Sequence, residues 1–257
     1  GLSSTGGGLN GISIISNSPF FSQCMDMLRP YQKELQIAIH LNLIEGKSIC
    51  AKKDVPLLVD KKGNFNLSFG KLLLHSVFPD REQYRSQLRK EISAQIHTVL
   101  PYLLDKELRI DGHAHYHMIP VVFDALMDVI QEQKLPVSYI RIPREHIKLY
   151  LQCKKNLVGF RPINLLKVLI LKFLSKRNLY KYRDFGAGLE QSIFIGVMYS
   201  GRMCIQNIQT LRFAAERMGK NVEILSHPGG VFEEEDIQRL TNKDDIAFLT
   251  SNFRRIE

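Results

Sequence analysis

The sequence predicts an α/β fold built on a parallel sheet, either open or closed into a barrel. Three observations carry this. Apolar, β-branched runs alternate with segments of helical periodicity over about 200 residues. Several of those runs are near-continuous Ile, Leu and Val rather than strictly alternating, the pattern of strands buried on both faces. The chain has 257 residues, 44% of them hydrophobic, which is ample for one sizeable core.

In chain order, residues 1–11, opening GLSSTGGG, read as a flexible lead-in. Strands follow at 12–16 (ISIIS), 36–43 (QIAIHLNL), 108–117 (LRIDGHAHYH), 138–142 (SYIRI), 192–198 (SIFIGVM) and 221–226 (NVEILS). Helical spacing occupies 19–31, 81–104, 120–133, 162–176 and 202–218, with Pro120 and Pro162 placed where first-turn prolines are tolerated. Residues 52–68, rich in Pro, Gly, Asp and Lys, form a loop excursion after the second strand. In an α/β fold that position is the carboxyl face, where sites are built. No repeat or long linker interrupts the chain, so residues 1–257 read as a single domain.

Charge narrows the classes of partner. The net charge is +9, but residues 141–183 hold twelve Lys/Arg against one acid, Glu145, leaving the rest slightly acidic. Basicity confined to one segment, with no recognition helix or RNA-binding aromatic motif, argues against a nucleic-acid partner. Cys24, Cys50, Cys153 and Cys204 are widely spaced and form no metal or disulfide framework, as in the reduced thiols of a cytoplasmic protein. No apolar run is long enough to span a bilayer. In residues 162–177, Ile163, Leu166, Leu169, Ile170, Phe173 and Leu174 share one helical face and Asn164, Lys167, Lys172 and Ser175 the other. The ordinary expectation is that the apolar face packs inward on the sheet. The alternative is peripheral contact with an anionic membrane, serving for instance a lipid-linked substrate.

The chemistry concentrates in histidines. His113, His115 and His117 recur at period two after Asp111. On a strand they would share a face at roughly 6.5–7 Å spacing. One metal at about 2.1 Å from an imidazole cannot easily take all three. One or two would be ligands, with the others behind them or against substrate. His40 ends the run QIAIH beside a Gly-containing turn and reads as a metal ligand or a structural histidine. His227, after NVEILS and before Pro-Gly-Gly, repeats the arrangement. Histidines ending different parallel strands would converge at the carboxyl face. Asp111 could orient an imidazole or belong to the site, and Glu45, in the turn IEGK, could join it or serve the turn. Arg141 could hold a substrate oxygen, and Arg144 could do so or pair with Glu145.

Taken together, ISIISNSPFF (12–21), IHLNLIEGKSI (39–49), VPLLVDKKGNF (55–65), IDGHAHYHMIPVVFDAL (110–126), YIRIPRE (139–145) and EILSHPGG (223–230) resemble the YdjC/ChbG family of carbohydrate deacetylases, in its order and spacing. The resemblance implies a distorted (β/α) TIM-like barrel, one divalent metal ion (Mg or Zn) and hydrolysis of an N-acetyl group from an amino sugar. It implies His40 and His113 as metal ligands and His227 and Asp111 as catalytic-site residues; His115, His117, Arg141 and Glu45 are, from the residues themselves, the expected substrate-side groups. The family's opening strand ends in N-A-D-D-F-G-L-S, whose second Asp completes the metal site. This chain starts at Gly1-Leu2-Ser3, as though just after that motif, so the first strand is expected upstream. A sugar-binding relative without catalysis and a metal-dependent phosphoesterase or amidohydrolase are the rival expectations, and a homo-oligomer is an open one.

Overall fold

The computed structural model describes residues 10–104, 107–185, 189, 192–200, 203–219 and 221–225. It divides into two compact units, one of residues 10–141 and 178–189, the other built on 142–177 and the described part of 190–225.

The first unit is a four-stranded, all-parallel sheet in the order β1 (Gly11–Ile14), β2 (Gln36–Leu41), β3 (Leu108–Gly112) and β4 (Val137–Ile140). In β2, Ile37, Ile39 and Leu41 are buried while the residues between them are more exposed, so one face of the pleat makes core. Ile39 is in register with Ile110, and Ile110 with Ile140, giving a central row of fully enclosed side chains. Parallel strands need crossovers, supplied here by α1 (Phe21–Leu28), α2 (Phe69–His75) with α3 (Arg81–Val99), and α4 (Pro120–Glu132). Leu88, Ile92 and Ile96 of α3 and Phe123, Leu126 and Ile130 of α4 are buried apolar faces. At the rim, Arg81, Arg85 and Arg89 pair with Asp124, Asp128 and Glu132. The pairs advance together four residues at a time, so α3 and α4 run in the same direction.

The loop excursion after β2 is tied to α3 by one polar stripe. Gln95 Oε1 accepts the Asn42 amide and its Nε2 donates to the Asn42 carbonyl. Glu91 accepts the amides of Ile49 and Cys50, and Gln87 accepts that of Leu57. Residues 87, 91 and 95 lie one helical turn apart, so a single face of α3 satisfies loop amides that would otherwise be stranded. Isolated antiparallel bridges, Lys47 with Asn64 and Val59 with Phe65, close the loop on itself.

The second unit holds α5 (Ile147–Cys153), residues 162–177 of α6 (Pro162–Lys181), α7 (Ile205–Glu216) and a parallel pair, β5 (Ile193–Ile195) with β6 (Val222–Ile224). Neither sheet is closed among the described residues. No helix among them is long and apolar enough to cross a membrane.

The six expected strands and five expected helices are present, with three corrections. The helices α2 and α5 were not anticipated; each has seven residues, too few to display a helical period. The third strand stops at Gly112 rather than His117, because Ala114 and His115 adopt left-handed backbone angles (φ 47° and 60°) and turn the chain out of the sheet. The apolar face read for α6 is not the buried one: Asn164, Val168, Leu171, Leu174 and Ser175 are buried, whereas Ile163, Leu166, Leu169, Ile170 and Phe173 are exposed. Asn164 can turn inward because its Nδ2 donates to the carbonyls of Met198 and Ser200.

Candidate active site

Four parallel strands bring their carboxyl ends to one edge, and the polar residues collect there. His40, on β2, is the register partner of Asp111 on β3, so both side chains rise from the same face. Asp111 is almost fully enclosed, 1% exposed at its side chain. Its Oδ1 lies 2.5 Å from His40 Nδ1, and its Oδ2 accepts from Ser13 Oγ at 2.6 Å and from the Arg141 guanidinium. Burial alone would raise the Asp111 pKa; the His40 hydrogen bond and the His40 and Arg141 charges outweigh it and hold the carboxyl far below its ordinary range. An ionised carboxylate only accepts, so His40 Nδ1 carries a proton and Nε2 is the nitrogen turned away from Asp111. This is the carboxylate–imidazole arrangement that presents a metal-ligating nitrogen.

His113 follows directly. Its ring stands edge-on to His40 with centroids 5.5 Å apart, and its Nε2 is 3.4 Å from Glu45 Oε1. Glu45 is placed by asparagines: Asn42 Oδ1 accepts the amides of Ile44 and Glu45, and Asn42 Nδ2 and Asn17 Nδ2 both donate to the Glu45 carbonyl. The same loop turns at Gly46, whose φ of +73° suits glycine. His40, His113 and Glu45 are thus brought together, with Asp111 beneath His40.

The remaining histidines separate from this group. His117 is enclosed, with Nε2–H donating to the Arg141 carbonyl at 2.8 Å. Its Nδ1 has no hydrogen-bond partner among the described residues. Gly112 makes room for this ring, since a Cβ there would sit 2.6 Å from His117 Nδ1. Burial pushes the His117 pKa down to about 4, and His117 holds up the turn rather than facing outward. His115 is part-exposed, with its Nδ1 shielded from water. Arg141, expected to hold a substrate oxygen, directs its guanidinium to Asp111. His227 lies outside the described residues. Sequence reasoning missed Ser13, Asn17 and Asn42; the one available signal was a polar residue at a strand end or at the start of a loop.

These pKa directions fix a pH dependence. His117 binds its proton at an ordinary pH of about 6.5 when unfolded but only near 4 when folded, so the unfolded chain takes up protons first on acidification. Stability is therefore full above pH 6.5 and falls towards pH 4, by about 2 kcal/mol at pH 5 for this one group. Asp111 extends the loss further: its depressed pKa contributes stability above the unfolded carboxyl value, and that contribution disappears as pH falls below about 4. Urea denaturation at pH 7 and pH 5 measures the first step, and His117→Asn should flatten it.

Two imidazoles, one oriented by a carboxylate, suit a divalent ion by donor chemistry. Among the described residues no group of three His, Cys, Asp or Glu side chains stands close enough to hold one.

The chain is similar to several known proteins. A carbohydrate deacetylase of Xenopus laevis is 29% identical over 135 residues, covering 52% of this chain and 42% of that protein. One of Danio rerio is 25% identical over 139 residues, covering 54% and 42%. One of Clostridium beijerinckii is 32% identical over 109 residues, covering 42% and 40%. The matched part thus spans about two-fifths of these relatives' length. A solved structure from Enterococcus faecalis V583, described as a candidate cellobiose-phosphate cleavage protein, aligns with a TM-score of 0.62 at 20% identity, over 96% of this chain and 81% of that one; this is a likeness of fold. The sequence model of the YdjC-like proteins matches residues 4–255, and with a match of that extent the chain belongs to the YdjC-like family.

Proposed function

We propose that this chain is a metal-dependent hydrolase that removes an N-acetyl group from an amino sugar or oligosaccharide. The observation that supports it best is the pairing of His40 with Asp111, beside His113, at the carboxyl ends of parallel strands. His40 Nε2 and His113 are the proposed donors to a divalent ion, Mg or Zn, which when bound supplies a Lewis acid for the acetyl carbonyl. Asp111, enclosed and engaged through both oxygens, acts in this reading by orienting His40. Its proton affinity is too low for it to serve as base at neutral pH. Arg141 compensates the Asp111 charge. Glu45, exposed at the rim beside His113, is placed to accept hydrogen bonds from sugar hydroxyls. The departing amine must be protonated, and His227, matching the family's His-Pro motif, is the proposed donor.

The test is His113→Ala, with metal content and acetate release from N-acetylated sugars measured together. Loss of a residue that merely orients a ligand costs roughly 10- to 100-fold, so loss of a direct donor should cut acetate release by at least about 100-fold and reduce bound metal in parallel. Full deacetylation with stoichiometric metal in the variant would refute the assignment. Metal and sugar binding by the unaltered chain without acetate release would favour a non-catalytic sugar-binding protein. Release of phosphate from phosphorylated sugars would favour a phosphoesterase.

A further inference from the structure

The outward face of α6 carries a row of large exposed apolar side chains. At 100° per residue, Leu166, Leu169 and Phe173 form its crest. Lys172 and Lys176 lie on one flank and Lys167 on the other. Phe173 is 72% exposed and Leu166 51%. The usual economy is reversed, because Asn164 and Ser175 are buried while these large side chains face out. Beside the crest opens a cleft of about 230 Å³ bordered by Arg144, Leu169, Lys172, Phe173 and Lys176. Three of its five lining residues are cations, the other two are apolar, and none is acidic. The one acid between residues 141 and 183, Glu145, is turned inward onto the backbone amides of Gly196, Val197 and Met198.

From this we infer that α6 docks on an anionic membrane surface. The cleft takes a lipid headgroup phosphate between Arg144, Lys172 and Lys176, and Phe173, Leu169 and Leu166 enter the acyl boundary. Charge selects this occupant. A second copy would bring a like-charged segment against this one, which repels at close range, whereas a surface carrying excess negative charge attracts each Lys or Arg. Long Lys side chains flanking an apolar crest can extend to the headgroup level while their stems stay in apolar contact. The inference rests on the α6 face and not on the catalytic reading, since binding is measured without substrate.

The experiment is sedimentation of the 1–257 chain with vesicles of phosphatidylcholine plus phosphatidylglycerol, against phosphatidylcholine alone, at low and high salt. Binding to the mixed vesicles alone, weakened by salt, is expected. Lys172→Ala with Lys176→Ala should weaken it roughly thirtyfold, and Phe173→Ser roughly tenfold. Both variants should keep the far-ultraviolet circular dichroism and thermal midpoint of the parent, because the altered side chains are exposed. Absence of binding, equal binding to both vesicles, or binding indifferent to these substitutions would overturn the inference. So would self-association by analytical ultracentrifugation that Phe173→Ser abolishes, which would mark the face as a contact between copies.

Discussion

Asp111→Ala should unfold more readily than the parent by about 3–5 kcal/mol at neutral pH and should lose the proposed deacetylation as well. The magnitude follows from what Asp111 compensates. It is enclosed, and the Arg141 side chain it pairs with is only 11% exposed, so its removal takes one close counter-charge from a poorly hydrated guanidinium. Ser13 Oγ and His40 Nδ1–H lose their acceptor in the same step. Asp111→Asn separates the two consequences. It keeps the volume and one acceptor oxygen, so the stability loss should be smaller. An amide nevertheless offers no charge to hold the proton on His40 Nδ1, so the imidazole tautomers redistribute and activity should still fall sharply. Denaturant midpoints give the first quantity and acetate release the second. The ¹⁵N shifts of the His40 ring report the tautomer directly. If Asp111→Asn retained parental activity with an unchanged His40 tautomer, the orienting role would be wrong.

The strands were legible in the sequence because short Ile-, Leu- and Val-rich runs such as ISIIS, QIAIH and SIFIGVM stand out between turn residues, although only β5 is buried at every position and β2 buries one face alone. The site was half legible. His40, Asp111 and His113 stand where strand ends put them, and the register of β2 with β3 follows from the fold the strands define. The placement of His115 and His117 was not legible. HAHYH alternates as a half-buried strand would, but an alternation over five residues does not exclude a turn. The left-handed turn at Ala114 and His115 is paid for by tertiary contacts, among them the His117–Arg141 carbonyl bond and the space Gly112 leaves. No local pattern encodes them. Arg141 poses a related problem: a cation at a strand end looks the same in sequence whether or not it also meets a neighbouring carboxylate. For α6, side-chain polarity was read as direction. Asn164 can be buried because the carbonyls of Met198 and Ser200 meet it, and partners so distant in the chain are invisible to a helical wheel.

Glu145 entered the sequence reading only as one alternative partner for Arg144, yet its substitution should rank beside that of Asp111. Its side chain is buried, Oε1 accepts the amides of Gly196 and Val197 at 2.7 and 2.6 Å, and Oε2 accepts that of Met198 at 2.9 Å. Burial pushes its pKa up, while the three amides pull it back. Both oxygens face N–H donors, which favour the ionised form and oppose the rise that burial causes. The amides belong to the turn that leaves β5, where Gly196 allows the Leu225 side chain to pack within 2.7 Å of a would-be Cβ, and the Leu225 amide donates to the Ile195 carbonyl. His227 follows Leu225 by two residues. Glu145→Ala strands three buried donors at about 1–3 kcal/mol each before relaxation, so a loss of roughly 3–5 kcal/mol is expected. Glu145→Gln keeps one acceptor oxygen for Gly196 and Val197 but sets an amide N–H₂ against Met198, and should cost about 1–3 kcal/mol. Urea denaturation of the two variants measures the order. Equal stability of Glu145→Gln and the parent would show that the Met198 amide finds another acceptor, and the clamp would then reduce to one oxygen.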